Sequence, residues 1–104
     1  MDKIVIFITA ANKKEAQAIA IALVEKRLVA CVNIVDKIDS FFWWKKKIDS
    51  AKEVLLIAKS KKSNFQKIIQ LVRVKHSYEV PEIIALPIIS GYKPYLEWID
   101  DSLR

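Results

Sequence analysis

Two runs of period-two alternation, Leu28 to Trp44 and Ile48 to Lys59, flank the charged turn Lys45-Lys46-Lys47 and dictate a long β-hairpin. In the first run Ala30, Val32, Ile34, Ile38, Phe42 and Trp44 fall on one face, while Cys31, Asn33, Val35, Lys37 and Asp39 begin the other. A bulge is expected near Asp36-Lys37. Val54 to Ala58 form the buried half of the second strand. The turn lacks the Gly or Asn that a tight primed turn prefers. A chain of 104 residues makes one domain, residues 1–104. This hairpin outruns what one such domain can cover, and its tip carries Phe41, Phe42, Trp43 and Trp44 in succession. Four exposed aromatics predict a subunit interface.

The other elements follow from shorter patterns. Lys3 to Thr9 is a continuous apolar and β-branched run, suited to a central strand. Asn12 caps a helix over about 12–27, with Glu15 as its capping-box partner and Ala16, Ile19, Ala20, Leu23 and Val24 as its stripe. Lys26 and Arg27 fall in its last turn. Ser60 or Ser63 caps a second helix, striped by Phe65, Ile68, Ile69 and Val72 and running to about Lys75. Glu82 to Ile89 is a fourth strand, at a sheet edge because Pro87 has no N–H to donate. After Gly91, Pro94 opens a short helix packed through Tyr95, Leu96, Trp98 and Ile99. The predicted class is α+β, a ferredoxin-like βαββαβ antiparallel sheet with two helices on one face and a short C-terminal helix. The other sheet face is left largely open, which predicts oligomerisation.

A net charge of +6 raises nucleic-acid or anionic-membrane partners. Most lysines, however, fall in groups at expected turns and helix starts, such as Lys13-Lys14 and Lys61-Lys62, where they aid solubility and blunt strand edges. Stacking of RNA bases needs aromatics on the two central strands. The first offers only Phe7 and Glu53 to Lys59 offers none, so nucleic acid is set aside. Thr9-Ala10-Ala11-Asn12 has neither the glycines nor the arginine of a phosphate-handling loop. No spacing suggests a nucleophile and its base, and no enzyme is expected. Met1-Asp2-Lys3 leads directly into a strand, and no run of about 18 apolar residues occurs, so a cytoplasmic protein without a membrane partner is expected. The lone Cys31 fits a reducing compartment.

Chemistry concentrates in His76-Ser-Tyr-Glu-Val-Pro-Glu82, which holds the only histidine, a tyrosine and two carboxylates ahead of an apolar run. Cys31, His76 and Glu82 together offer soft, borderline and hard donors, a set that suits copper or zinc, although no spacing forms a local ligand motif. Each also has a plainer role. Cys31 is a small apolar strand residue, His76 bonds carbonyls at a helix end, Glu82 pairs with a lysine, and Tyr78 is a packed ring with a satisfied hydroxyl.

Ala30-Cys31-Val32-Asn33-Ile34, Ser40-x-Phe42-x-Trp44-x-x-Lys47-Ile48 with Glu53, His76-x-Tyr78-x-x-Pro81-Glu82-Ile83, Leu86-Pro87-Ile88 and Tyr95-Leu96-x-Trp98-Ile99 occur in this order over nearly the whole chain. Together they resemble the divalent-cation tolerance (CutA) family. The resemblance implies a cytoplasmic homotrimer of ferredoxin-like subunits with interlocked hairpins and edges, a link to tolerance of copper and other divalent metals, and Cys31, His76 and Glu82 as metal contacts. Two other functions stay open, a PII-like signalling trimer binding a small ligand at its subunit clefts and a trimeric interaction scaffold. The chain departs from the family pattern at Phe42, where a tyrosine is common, and at Lys46, where a glycine is common. The second departure implies a wider or differently bent hairpin tip.

Overall fold

The computed structural model describes residues 2–104. The chain runs through β1 (Lys3–Ala10), α1 (Lys13–Glu25), β2 (Cys31–Trp44), β3 (Lys47–Lys61), a 3-10 turn (Lys62–Asn64), α2 (Phe65–Lys75), β4 (Ile83–Pro87) and α3 (Lys93–Ser102). All strand pairs are antiparallel, in the order β2-β3-β1-β4. This is the ferredoxin-like α+β arrangement expected, with Pro87 on an edge strand.

One face of the sheet is the core. Ile4, Ile6, Ile8 and Ala10 alternate along β1, and their register partners on β3 are Ser60, Ala58, Leu56 and Val54. α1 covers this face through Ala16, Ile19, Ala20 and Leu23, and α2 through Ile68 and Val72, all buried. The opposite face carries Val5, Phe7, Leu55 and Ile57, each partly exposed, with Ile84 and Leu86 about half exposed at the β4 edge. Among the described residues, α3 is the only helix on that side. A 3.0 Å ion pair from Asp100 to the buried Lys3 holds it, with Tyr95 over Cys31.

The bulge sits where the charged pair implied, between Val35 and Ile38, with Lys37 at φ 61°. It overturns the expected faces of β2. Val35 pairs with Leu55 and Ile38 with Glu53, so Ile38 shares a face with Val35 rather than with Ile34. One inserted residue reverses the parity of everything after it. Phe42 and Trp44 therefore continue the open face of the sheet, and Phe41 and Trp43 the helix-side face.

The hairpin turn is tight, not wide. Trp44 pairs with Lys47, and Lys45 and Lys46 adopt φ 49° and 65°. This is the doubly left-handed geometry of a two-residue primed turn, formed without glycine or asparagine because long strand pairing on both sides imposes it. An L side chain at such φ is strained, so Lys46→Gly should raise stability by roughly 0.5–1 kcal/mol. A higher urea midpoint checks this; a lower one would mean that the lysine side chain contributes more than the strain costs.

Capping also differs in detail. The Asn12 side chain accepts from the Glu15 amide, but Glu15 accepts from Ala11 rather than from Asn12. α1 ends at Glu25, before Lys26 and Arg27. Arg27 takes φ 56° while its amide bonds Val24 and that of Leu28 bonds Leu23, a Schellman ending with arginine in the usual glycine place. Neither serine caps α2. Ser60 belongs to β3 and donates to the Leu28 carbonyl, and the 3-10 turn containing Ser63 leads into the helix.

β1 pairs with β3 only over Val54–Lys61, so residues 47–53 have β2 as their single neighbour. The result is a two-stranded arm whose tip exposes Phe41 by 74% and Trp43 by 73%. The arm stretches the molecule to 44 × 25 × 23 Å, and the radius of gyration is 14.2 Å against about 13 Å for a compact chain of this length.

Candidate functional site

The 76–82 segment emerges from α2 and lies across the end of the sheet where β1 finishes. Val72 and His76 lie one turn apart, so the stripe that buries Val72 also carries the histidine inward; the His76 side chain is fully buried. Its Nε2 is 2.6 Å from the Thr9 carbonyl, and its Nδ1 is 3.0 Å from the Tyr78 amide. A carbonyl only accepts and an amide N–H only donates, so the ring carries its proton on Nε2 and accepts at Nδ1. Both nitrogens are occupied.

Glu15 completes the arrangement from α1. Its two carboxylate oxygens accept from the amides of Ala11 and Ser77 at 2.9 and 2.8 Å, and one lies 3.7 Å from His76 Nδ1. Burial pushes this carboxyl's pKa up most strongly of any single influence. The Ala11 amide, the Ser77 side chain and amide, and the nearby imidazole together outweigh it and hold the group below its ordinary 4.5. The folded chain thus takes up this proton less readily than the unfolded chain. The stabilisation is complete above pH 4.5 and fades as pH falls through the lower folded value. Glu15→Gln should therefore destabilise by about 1–2 kcal/mol at neutral pH, and the gap from the parent chain should close in acid. A gap independent of pH in denaturant titrations would count against the charged role of Glu15.

Tyr78 stacks at a tilt on His76, with centroids 4.8 Å apart, and its hydroxyl donates to Glu53 at 2.7 Å. Burial and the Glu53 carboxylate push the phenol up to about 12, so it is a donor at all ordinary pH. Tyr78 is the packed ring with a satisfied hydroxyl that the sequence suggested. Its partner was missed, although a glutamate heading the apolar run Val54 to Ala58 was a visible signal. Glu53 is buried and pairs across the strands with Ile38. His76, Glu15, Tyr78 and Glu53 thus clamp α1, the α2–β4 connection and the base of the arm together.

The three residues expected to contact metal do not meet within one chain. Cys31 stands beside Lys59, whereas Thr9, under His76, stands beside Leu55. Four residues along β3 separate them by about 13 Å. Cys31 is partly exposed, with its Sγ 3.6 Å from the Tyr95 hydroxyl, and burial and this thiol contact push the Tyr95 phenol pKa up. Glu82 is exposed just before β4, at the His76 end of the sheet, and has no hydrogen bond or ion pair among the described residues. No three His, Cys, Asp or Glu side chains among the described residues are placed to hold one ion. A single chain does not fit a resident metal: His76 would first have to release a backbone partner, Cys31 already contacts the Tyr95 hydroxyl, and Glu82 stands apart from both.

Comparison with known proteins adds to this geometry. The family model described as CutA1 divalent ion tolerance protein matches residues 4–102. A divalent-cation tolerance protein CutA of Archaeoglobus fulgidus is 46% identical over 99 residues, covering 95% of this chain and 96% of that one. A chloroplastic CutA 1 of rice, Oryza sativa, is 42% identical over 101 residues, 97% of this chain and 57% of that protein. The chain spans about half the length of several curated relatives it matches. A solved structure named as the periplasmic divalent cation tolerance protein CutA from A. fulgidus superposes with a TM-score of 0.94 at 44% identity, over 98% of this chain and 99% of that one.

Proposed function

The chain belongs to the CutA1 divalent ion tolerance protein family, and on that premise we propose that it acts as a cytoplasmic homotrimer without enzymatic activity that binds divalent metal, copper foremost, weakly at its subunit clefts. The observation that carries the reading is the uncovered apolar surface: a half-open sheet face continuing into an arm of exposed aromatics. Such a surface is stable in water when other copies cover it. Assembly also supplies what one chain lacks, because neighbouring copies bring donors to the exposed Glu82 and the partly exposed Cys31. His76 joins this set as a metal contact only by exchanging its Thr9 or Tyr78 bond for the ion.

Among the relatives, the rice protein is named as chloroplastic and the A. fulgidus structure as periplasmic. The cytoplasmic reading here rests on the unpaired Cys31. No helix among the described residues is long and apolar enough to cross a membrane.

Calorimetric titration of the assembled protein with Cu(II) tests the metal proposal. Binding in the roughly micromolar to millimolar range is expected, at least about tenfold weaker in Cys31→Ser or Glu82→Gln. No heat up to millimolar metal, or heat unchanged in both variants, would remove the metal site.

A further inference from the structure

The helix layer, on the side away from the open sheet face, carries a groove. It has a volume of about 660 Å³ and is lined by Lys26, Leu28, Lys67, Gln70, Leu71, Val74 and Lys75. Five of these fall on α2 at intervals of three, four, seven and eight residues from Lys67, which places them on one stripe of that helix. Leu71 and Leu28 pack partly against the core, while Val74 is 85% exposed. No carboxylate lines the groove, and none of the three lysines forms an ion pair among the described residues.

We infer that this groove docks an acidic amphipathic segment of a partner protein. Lys67 and Lys75 are eight residues apart on α2, about 12 Å along its axis. That spread suits an elongated ligand with carboxylates at both ends of its contact better than one small anion. Between them the apolar floor takes an aliphatic side chain, and Gln70 presents an amide to the segment's backbone. Lys26 faces the same trough from the end of α1. A flat anionic membrane fits less well. It would favour projecting apolar side chains, whereas two of the three here, Leu28 and Leu71, lie recessed beneath the lysines.

Fluorescence anisotropy tests this directly on the intact protein. The probe is a fluorescein-labelled peptide of about 14 residues, with leucine along one helical face and glutamate elsewhere. A saturable rise is expected with a dissociation constant of roughly tens of micromolar, falling off with added salt. Lys67→Glu with Lys75→Glu should weaken it at least about tenfold by placing like charges opposite the peptide. Val74→Ser, which removes apolar floor without changing charge, should weaken it about threefold. Lys13→Glu with Lys14→Glu makes the same charge change at exposed positions outside the groove and should leave binding within about twofold. All substitutions are at exposed positions, and circular dichroism confirms that each variant folds. Equal losses in the two double variants would reduce the effect to net charge and overturn the groove. So would the absence of any rise to millimolar protein, or strong binding to phosphatidylserine vesicles without peptide binding.

Discussion

His76→Ala is expected to lower the free energy of unfolding by about 3–4 kcal/mol. The imidazole is fully buried and serves two backbone groups from different parts of the chain, the Thr9 carbonyl and the Tyr78 amide. Alanine leaves the amide without its acceptor and the carbonyl without its side-chain donor, each at about 1–3 kcal/mol, and opens a ring-sized cavity under Tyr78. Against a total of about 5–15 kcal/mol for a domain, such a loss is large. Tyr78→Phe deletes only the hydroxyl that bonds Glu53 and should cost about 1–2 kcal/mol. Urea unfolding at one fixed protein concentration measures both, since the proposed assembly would make stability concentration-dependent. A loss below about 1 kcal/mol for His76→Ala would show that the clamp contributes little.

Serine at Phe41, Trp43 and Trp44 together should release the proposed trimer. These side chains are 74%, 73% and 59% exposed in one chain, so they contribute little to its own stability and much to any surface that covers them. Large aromatics at an interface centre cost about 2 kcal/mol or more each when truncated. Three per subunit weaken association by roughly four orders of magnitude, at tenfold for every 1.4 kcal/mol or so. Light scattering should give the parent a mass of three times 12.0 kDa and the triple variant 12.0 kDa, with circular dichroism unchanged. A parent at 12.0 kDa would sink the assembly, and a variant that stays trimeric would move the interface away from the arm.

Because these side chains are exposed and His76 is enclosed, the two variants separate assembly from folding. His76→Ala should shift the unfolding midpoint in the subunit itself, while the tip variant should change mass first. The same contrast divides what could be read in the residues from what could not. The arm and its aromatics stand in the sequence as an alternation too long for the domain. The imidazole's partners, one on β1 and one beyond α2, do not.

Local periodicity is the reason the elements were legible. Alternation between Leu28 and Lys59, the 3.6-residue stripes of α1 and α2, and the proline in β4 each depend on neighbours within a few positions, so order, type and edge placement followed from the residues alone. The unfilled face of the sheet followed too, since two helical stripes cover one face and the short α3 covers little of the other. Through-space juxtaposition decided the rest. One extra residue between Val35 and Ile38 reversed the faces of the arm, and strand pairing on both sides drove Lys45 and Lys46 into a tight turn that their side chains disfavour. Register along β3 set Cys31 about 13 Å from the His76 site, and packing of α2 beside Leu28 brought Lys26 to the same groove as Lys67 and Lys75. Pattern determined which elements form, because patterning acts between near neighbours; only the tertiary structure determined which side chains meet, because those contacts join residues far apart in the chain.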